Sequence, residues 1–340
     1  MPPTNHFVYL DLIRYVAAIT VAIFHYKLSL SESFLNEFVV ATSVEIFFVL
    51  SGFVLARQIN HIIKNGFKFS DIKIFLIRRW LRTIPPYLIA LIIAMLIFGG
   101  GGYKNVFLHV FYLQNFISDT PAWPFFPVGW SLSIEEWFYV LFPITLFIFY
   151  KFKKVKNLNL FVSLGIIILC LILRLNFGSI ENWGSDVRRS VIFRFDAIIY
   201  GYIAYCIKDL LSQPKTFLYL FLGLGFFLCN LIFYQSLQTS QLSQNFFFIS
   251  CGLFFSFLLI VVSRISKFSN KTFTKFVFFL AKLSYPIYLF HIIIIAIIKN
   301  LNIEHSWAFY ICSLHVFAII FHYGFESPIL KARPGFKQRT

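Results

Sequence analysis

The chain is 340 residues long, 59% of them hydrophobic and only 13% charged, with a formal net charge of +16. Soluble domains ordinarily carry about a quarter charged residues, so a water-soluble fold is all but excluded. Nucleic acid is also excluded as a partner, because the basic residues fall in short clusters between long apolar runs, the pattern that orients a membrane protein.

A helix needs about 20 mostly apolar residues to cross the hydrocarbon core, where every backbone group must be satisfied internally. By that ruler ten spans are predicted, over 7–30, 41–59, 85–98, 131–149, 158–175, 193–207, 217–234, 244–263, 276–298 and 307–325, the third and sixth being short. The first contains Asp11, Arg14 and His25 and is followed by no small-residue cleavage site, so it reads as a retained span, not a signal peptide. Alternating the connections puts the basic segments 57–82, 151–156, 208–215, 264–275 and the tail 331–339 on one side. The positive-inside rule makes that side cytoplasmic, with both termini there. The other side carries Glu32, 99–127, 235–243 and 300–306, acidic or uncharged apart from Lys104, with a basic exception at 176–192, where Arg188 and Arg189 could hold an anionic sugar or a lipid phosphate. The expectation is an all-α bundle of about ten transmembrane helices in the inner (cytoplasmic) membrane, one domain over 1–340 with no appended soluble domain. Cys170, Cys206, Cys229, Cys251 and Cys312 lie in apolar stretches without close spacing, so neither a metal site nor a disulfide framework is expected.

Ionisable groups inside a bilayer are costly, so each calls for a partner, a wet cavity or a function. Arg14 and His25 are eleven residues apart, about three turns and about 16 Å, on one helix face. The guanidinium suits the phosphates of a nucleotide cofactor; the imidazole suits general-base work, although a histidine satisfied within the bundle is the commoner case. Glu45 opens the second span and is a candidate for setting the imidazole tautomer, while Ser51-Gly52 permits close helix approach. Arg78, Arg79 and Arg82, with Trp80 among them, can hold phosphates, and positive-inside anchoring accounts for them equally well. Ser131, Glu135 and Tyr139 follow at four-residue steps on one face of the fourth span, a strip able to bind a hydroxylated ligand or orient a base. Arg194 and Asp196 open the sixth span, and Ser284, Tyr288 and His291 share one side of the ninth. Glu326 is read as structural.

Together these segments resemble the membrane acyltransferase-3 family over nearly the whole chain. The resemblance rests on Arg14 and His25 at their spacing, on Phe47-Phe48-Val49-Leu50-Ser51-Gly52-Phe53 after Glu45, and on Arg78-Arg79-Trp80-Leu81-Arg82. It continues through Trp130-Ser131-Leu132-Ser133-Ile134-Glu135 with Phe138-Tyr139, then Arg194-Phe195-Asp196, and Ser284-Tyr285-Pro286-Ile287-Tyr288-Leu289-Phe290-His291, all in family order. It implies transfer of an acyl group, by family habit acetyl, from cytoplasmic acyl-CoA to a hydroxyl of an extracytoplasmic glycan such as polysaccharide, lipopolysaccharide or a lipid-linked sugar, and an essential His25.

On that footing His25, Glu45 and Glu135 are the expected catalytic residues, and Arg14, Arg78, Arg79 and Arg82 the CoA-binding ones. Trp130, Ser131, Ser133, Tyr139, Arg194, Asp196, Tyr288 and His291 are expected to hold the acceptor. General-base and covalent roles for His25 both stay open. Acyl-CoA is a co-substrate, and no tightly bound cofactor is expected. Some relatives carry a fused extracytoplasmic hydrolase-like domain; without one, a separate partner protein would complete such a transfer. The rival readings are a glycan transporter or flippase, which would need no CoA, and a receptor or scaffold without chemistry.

Overall fold

A computed structural model of the protein describes residues 7–31, 33–99, 102–116, 125–152, 157–179, 187–232, 234–265, 270–301 and 307–335. Glu32 and parts of the expected connections and tail, 117–124, 153–156, 180–186, 266–269, 302–306 and 336–339, lie outside these. Among the described residues there are helices and no strands. They are α1 (Val8–Leu30), α2 (Phe34–Lys64), α3 (Phe69–Phe98), α4 (Tyr103–Val110), α5 (Gly129–Phe152), α6 (Leu158–Phe177), α7 (Val191–Arg194), α8 (Asp196–Ile207), α9 (Gln213–Ile232), α10 (Gln241–Arg264), α11 (Lys271–Asn300), α12 (Trp307–Phe321) and α13 (Ser327–Lys331). Nine described helices are long and apolar enough to cross a membrane, and the chain is an all-α integral membrane protein.

The sequence places ten spans, and the difference is the sixth. That stretch folds as the four-residue α7 followed by the twelve-residue α8, together short of the about 20 residues a crossing helix needs. It still makes the return pass. Arg174 near the end of α6 pairs with Asp196 at the start of α8, and Arg264 at the far end of α10 donates to the Lys208 and Leu211 carbonyls and, at 2.7 Å, to Thr216 Oγ1. Residues 196 to 202 of α8 are all buried, and a helix wrapped in other helices need not match the bilayer thickness.

What lets α8 sit so deep is two glycines. A Cβ on Gly52 would overlap the Ile198 carbonyl, and one on Gly201 would overlap the Val49 carbonyl, so α2 and α8 touch backbone to backbone. The expectation of close approach at Ser51-Gly52 is met at this seam. By contrast, α6 and α9 stand at the outside, presenting Phe161, Ile168, Phe217 and Phe221 as exposed large apolar side chains suited to lipid tails.

The third predicted span is also longer than its apolar run. Helix α3 extends over 30 residues, because its basic first half is helical too, and it continues through Pro85 and Pro86. Prolines cannot donate to the carbonyls four residues back; in the same turn Tyr285 of α11 donates to the Thr83 carbonyl at 2.9 Å. Side-chain caps fix other starts, as where Asn270 accepts from Thr272 and Phe273 amides at the head of α11. The helices thus alternate between two ends of the bundle. One holds the start of α1 and, through the Arg78 guanidinium bonded to the Pro334 carbonyl, the chain's last described residues; it is called the Arg14 end below. The other is the His25 end.

Candidate active site

Three cavities follow one another along the bundle. At the Arg14 end lies a pocket of about 300 Å³ lined by Asp11, Arg14, Arg57, Gln58, Arg82 and Tyr205, among others. Arg14 and Arg82 also line a central cavity of about 90 Å³, which they share with Arg79, Ser51, Glu135 and Tyr139. Ser131 and Tyr288 also line that cavity, joined hydroxyl to hydroxyl at 2.5 Å. One turn further along α11 stands His291, its ring centroid 5.9 Å from that of Tyr288. His291 in turn meets His25, which lines a vestibule of about 690 Å³ at the opposite end with Glu37, Arg188, Arg189 and Lys299. Drug-sized ligand pockets run from about 300 to 1,000 Å³. The two end cavities fall in that range, and the middle one is wide enough only for a thin chain or a few waters.

The histidine pair has a definite proton arrangement. His25 Nδ1 lies 3.0 Å from the Val21 carbonyl and His291 Nδ1 2.6 Å from the Tyr288 carbonyl. A carbonyl oxygen only accepts, so in the neutral rings each Nδ1 carries the proton. His291 Nε2 is then a lone pair, and it sits 3.0 Å from His25 Nδ1, whose N–H it shares with Val21. The rings are 4.8 Å apart. His25 Nε2 therefore keeps its lone pair for an incoming proton, and the imidazolium formed would donate to His291. The partner that fixes the His25 tautomer is thus His291 together with the Val21 carbonyl.

Glu45, expected in that role, is committed elsewhere. Its two carboxylate oxygens accept from Arg194 at 2.8 and 2.6 Å, and Asp196 accepts from Arg174 at 2.8 Å with Arg194 Nε at 3.8 Å. Arg174 also donates to Asn245 Oδ1 at 2.7 Å and to the Phe193 carbonyl at 2.6 Å. Two carboxylates and two guanidiniums cancel. All four residues are at most 2% exposed. Arg194 and Asp196, expected to hold the acceptor, are thus paired within the packing of α2, α6, α8 and α10 and line none of the three cavities.

The strip on α5 faces one cavity as its spacing predicts, but at a different depth. Glu135 accepts from Ser51 at 2.9 Å and from Tyr139 at 2.6 Å, beside the arginines and not at the His25 end. Ser133 is fully buried and donates back to the Gly129 carbonyl, which leaves it no ligand-facing atom. Trp130 lies beneath the vestibule, with the Arg188 and Arg189 guanidiniums 5.6 and 6.0 Å from its ring centre. Of the three clustered arginines, Arg79 and Arg82 line the central cavity, while Arg78 donates to Pro334. The basic exception at 176–192 also finds its place, since Arg188 and Arg189 line the vestibule beside His25.

Several residues escape the sequence reading. Arg174 is a lone arginine inside an apolar run, and the cost of burying it was signal enough. Lys299 lies eight residues after His291, near two full turns and so on the same side of α11. Gln58 carries no sequence signal; its Oε1 is buried without a hydrogen-bond partner among the described residues. His322 and Glu326 pair at 2.7 Å within a π-helical turn that ends α12, in keeping with a structural Glu326.

Comparison with known proteins adds a family. Residues 7–323 match the model of an acyltransferase domain, the third such family. The chain is 25% identical over 359 aligned residues to O-acetyltransferase OatA of Staphylococcus aureus strain NCTC 8325, covering 96% of this chain and 57% of that protein, and the same holds for OatA of strain COL. The chain thus spans little more than half the length of these relatives. No solved structure matches it.

Proposed function

The chain belongs to the acyltransferase domain family, and from that premise we propose that it is an O-acyltransferase of the inner membrane, moving an acetyl group from cytoplasmic acetyl-CoA to a hydroxyl of an extracytoplasmic glycan. The Arg14 end, which gathers Arg57, Arg78, Arg79, Arg82, Lys208, Arg264, Lys331 and Arg333, faces the cytoplasm on this reading. Cavity size supports the direction. A nucleotide fits the 300 Å³ pocket and not the 90 Å³ cavity, so the adenine end stays at the Arg14 end while the slender pantetheine arm enters the centre. Arg14 and Arg82, common to both spaces, stand where the diphosphate passes, and Gln58 offers an unused carbonyl to the adenine amino group. From Arg14 to His25 is about 16 Å along α1, the order of an extended pantetheine arm.

The chemistry then falls to His25. Its Nε2 accepts the proton of the acceptor hydroxyl as the oxygen attacks the thioester carbonyl. The new ester C–O bond forms, the C–S bond breaks, and the proton passes to the departing CoA thiolate. His291 stabilises the transient imidazolium through the shared Nδ1–H. Glu135, held by Ser51 and Tyr139, balances part of the charge of Arg14, Arg79 and Arg82 around the CoA arm.

The observation that carries this reading is the His25–His291 hydrogen bond at 3.0 Å, standing between a cationic cavity and a sugar-sized vestibule. The test uses protein purified into vesicles with labelled acetyl-CoA and surface glycan. Wild type should label the glycan, and His25→Ala, at equal expression and equal thermal stability, should fall by about 10²- to 10⁴-fold, the usual worth of a positioned acid–base group. Unchanged labelling by His25→Ala would sink the reading.

A further inference from the structure

We infer that the vestibule beside His25 recognises an anionic group on the acceptor, a sugar carboxylate or a phosphate, so that the substrate is an acidic or phosphate-linked glycan and not a neutral one. The inference rests on the reading above, in which this vestibule is the acceptor side.

Charge balance carries it. The vestibule holds Arg188, Arg189 and Lys299 against a single described carboxylate, Glu37. Glu37 is taken by Arg188 at 3.2 Å. Among the described residues Lys299 finds only an uncharged partner, the Ser29 carbonyl at 2.5 Å. Arg189 has no carboxylate within ion-pair distance among the described residues, and its buried Nε has no hydrogen-bond partner there. Burial first, and the neighbouring Arg188 charge second, press on the Arg189 guanidinium and lower its pKa. A desolvated cation without a counter-charge is expensive; the Glu45–Arg194–Asp196–Arg174 network shows how this same protein cancels such charges when they serve only the fold.

Geometry fits the same ligand. The Trp130 ring, 5.6 Å from Arg188 and 6.0 Å from Arg189, braces both guanidiniums from one side. A guanidinium is a planar fork that binds carboxylate or phosphate oxygens two at a time. The space of about 690 Å³ takes a short run of sugar rings, and His25 lines the same wall. An anion on Arg189 and Lys299 would thus hold the glycan with a hydroxyl facing the base.

The experiment presents the vesicle-borne protein with labelled acetyl-CoA and three acceptors: a uronate-containing oligosaccharide, the same oligosaccharide after its carboxyls are reduced to alcohols, and the reduced oligosaccharide carried on a prenyl diphosphate. An anionic acceptor should show a KM about tenfold or more below the neutral one, and whichever anionic arm is preferred identifies carboxylate or phosphate as the source. Arg189→Gln should raise that KM toward the neutral value, and Arg189→Lys should restore part of the difference. Inorganic phosphate should compete with the preferred acceptor on the unaltered protein, a readout that does not depend on any variant folding. Equal KM values for all three acceptors, or a KM unmoved by Arg189→Gln, would overturn this inference while leaving acetyl transfer standing. Label on none of the three would overturn both.

Discussion

Two sets of buried charge lie in one bundle and are built on opposite plans. Glu45, Arg194, Asp196 and Arg174 come from four segments, are almost fully buried, and cancel among themselves. Arg14, Arg79, Arg82 and Glu135 line the central cavity and His25, backed by the buried His291, lines the vestibule; with Asp11 paired to Arg14 at 3.1 Å, positive charge is still left over. Burial of an ionisable group therefore does not by itself mark chemistry in this protein. Access to a cavity and uncancelled charge do. The family resemblance points to members of both sets, and only the geometry separates the residues that pair among themselves from those that can meet a ligand.

The sharpest way to break the distinction is to remove one member of the closed set. Arg194→Met strands the Glu45 carboxylate, and breaking a buried pair from one side costs about 3–5 kcal/mol; the variant should lose most of its folded population on mild heating in detergent. Adding Glu45→Gln to it should recover much of the loss, because a neutral pair has no charge left to strand. Arg82→Gln, in the open set, should behave in the opposite way, with thermal unfolding close to wild type and the KM for acetyl-CoA raised by about tenfold or more, the worth of one hydrogen bond to a charged group at about 1.5–3 kcal/mol. If the two variants exchanged these effects, the division of the charges would be wrong.

Smaller changes sharpen the open set. His291→Gln should lower kcat about tenfold while leaving the KM for acetyl-CoA unchanged, since it removes a partner of the imidazolium and no contact to CoA; equal losses in kcat and in donor binding would instead mean that His291 shapes the cavity. Gln58→Leu should have the least effect, a few-fold rise in the acetyl-CoA KM from the loss of about 0.5–1.5 kcal/mol, and it should vanish when the donor is acetyl-pantetheine, which has no adenine.

Much of this was legible in the residues, and the gaps have physical causes. Hydropathy found the passes because apolar length is what a bilayer demands. It cut α3 short at Pro85, since Arg78, Arg79 and Arg82 lower the apolar count without disfavouring a helix, and two prolines look like a start. It marked 193–207 as a short span without saying why, and the reason is packing: residues 196–202 of α8 are all buried among other helices. The four-residue steps of Ser131, Glu135 and Tyr139 give their shared face, but periodicity carries no information about depth, and only the packed bundle sets the strip beside Arg14, Arg79 and Arg82. The pairings were out of reach: Glu45 and Arg194 are 149 residues apart, and His25 and His291 are 266 apart. A carboxylate near a histidine in the pattern was therefore the natural partner to name, and the bundle chose an arginine for it instead.

The claim on which the rest depends is that donor and acceptor approach His25 from opposite ends. Sealed vesicles containing the protein test it directly, with labelled acetyl-CoA trapped inside and acceptor glycan supplied only outside. The expected result is label on the external glycan, abolished by His25→Ala, from the molecules whose Arg14 end faces the lumen. Labelling that occurs only when acetyl-CoA and glycan share one compartment would contradict it.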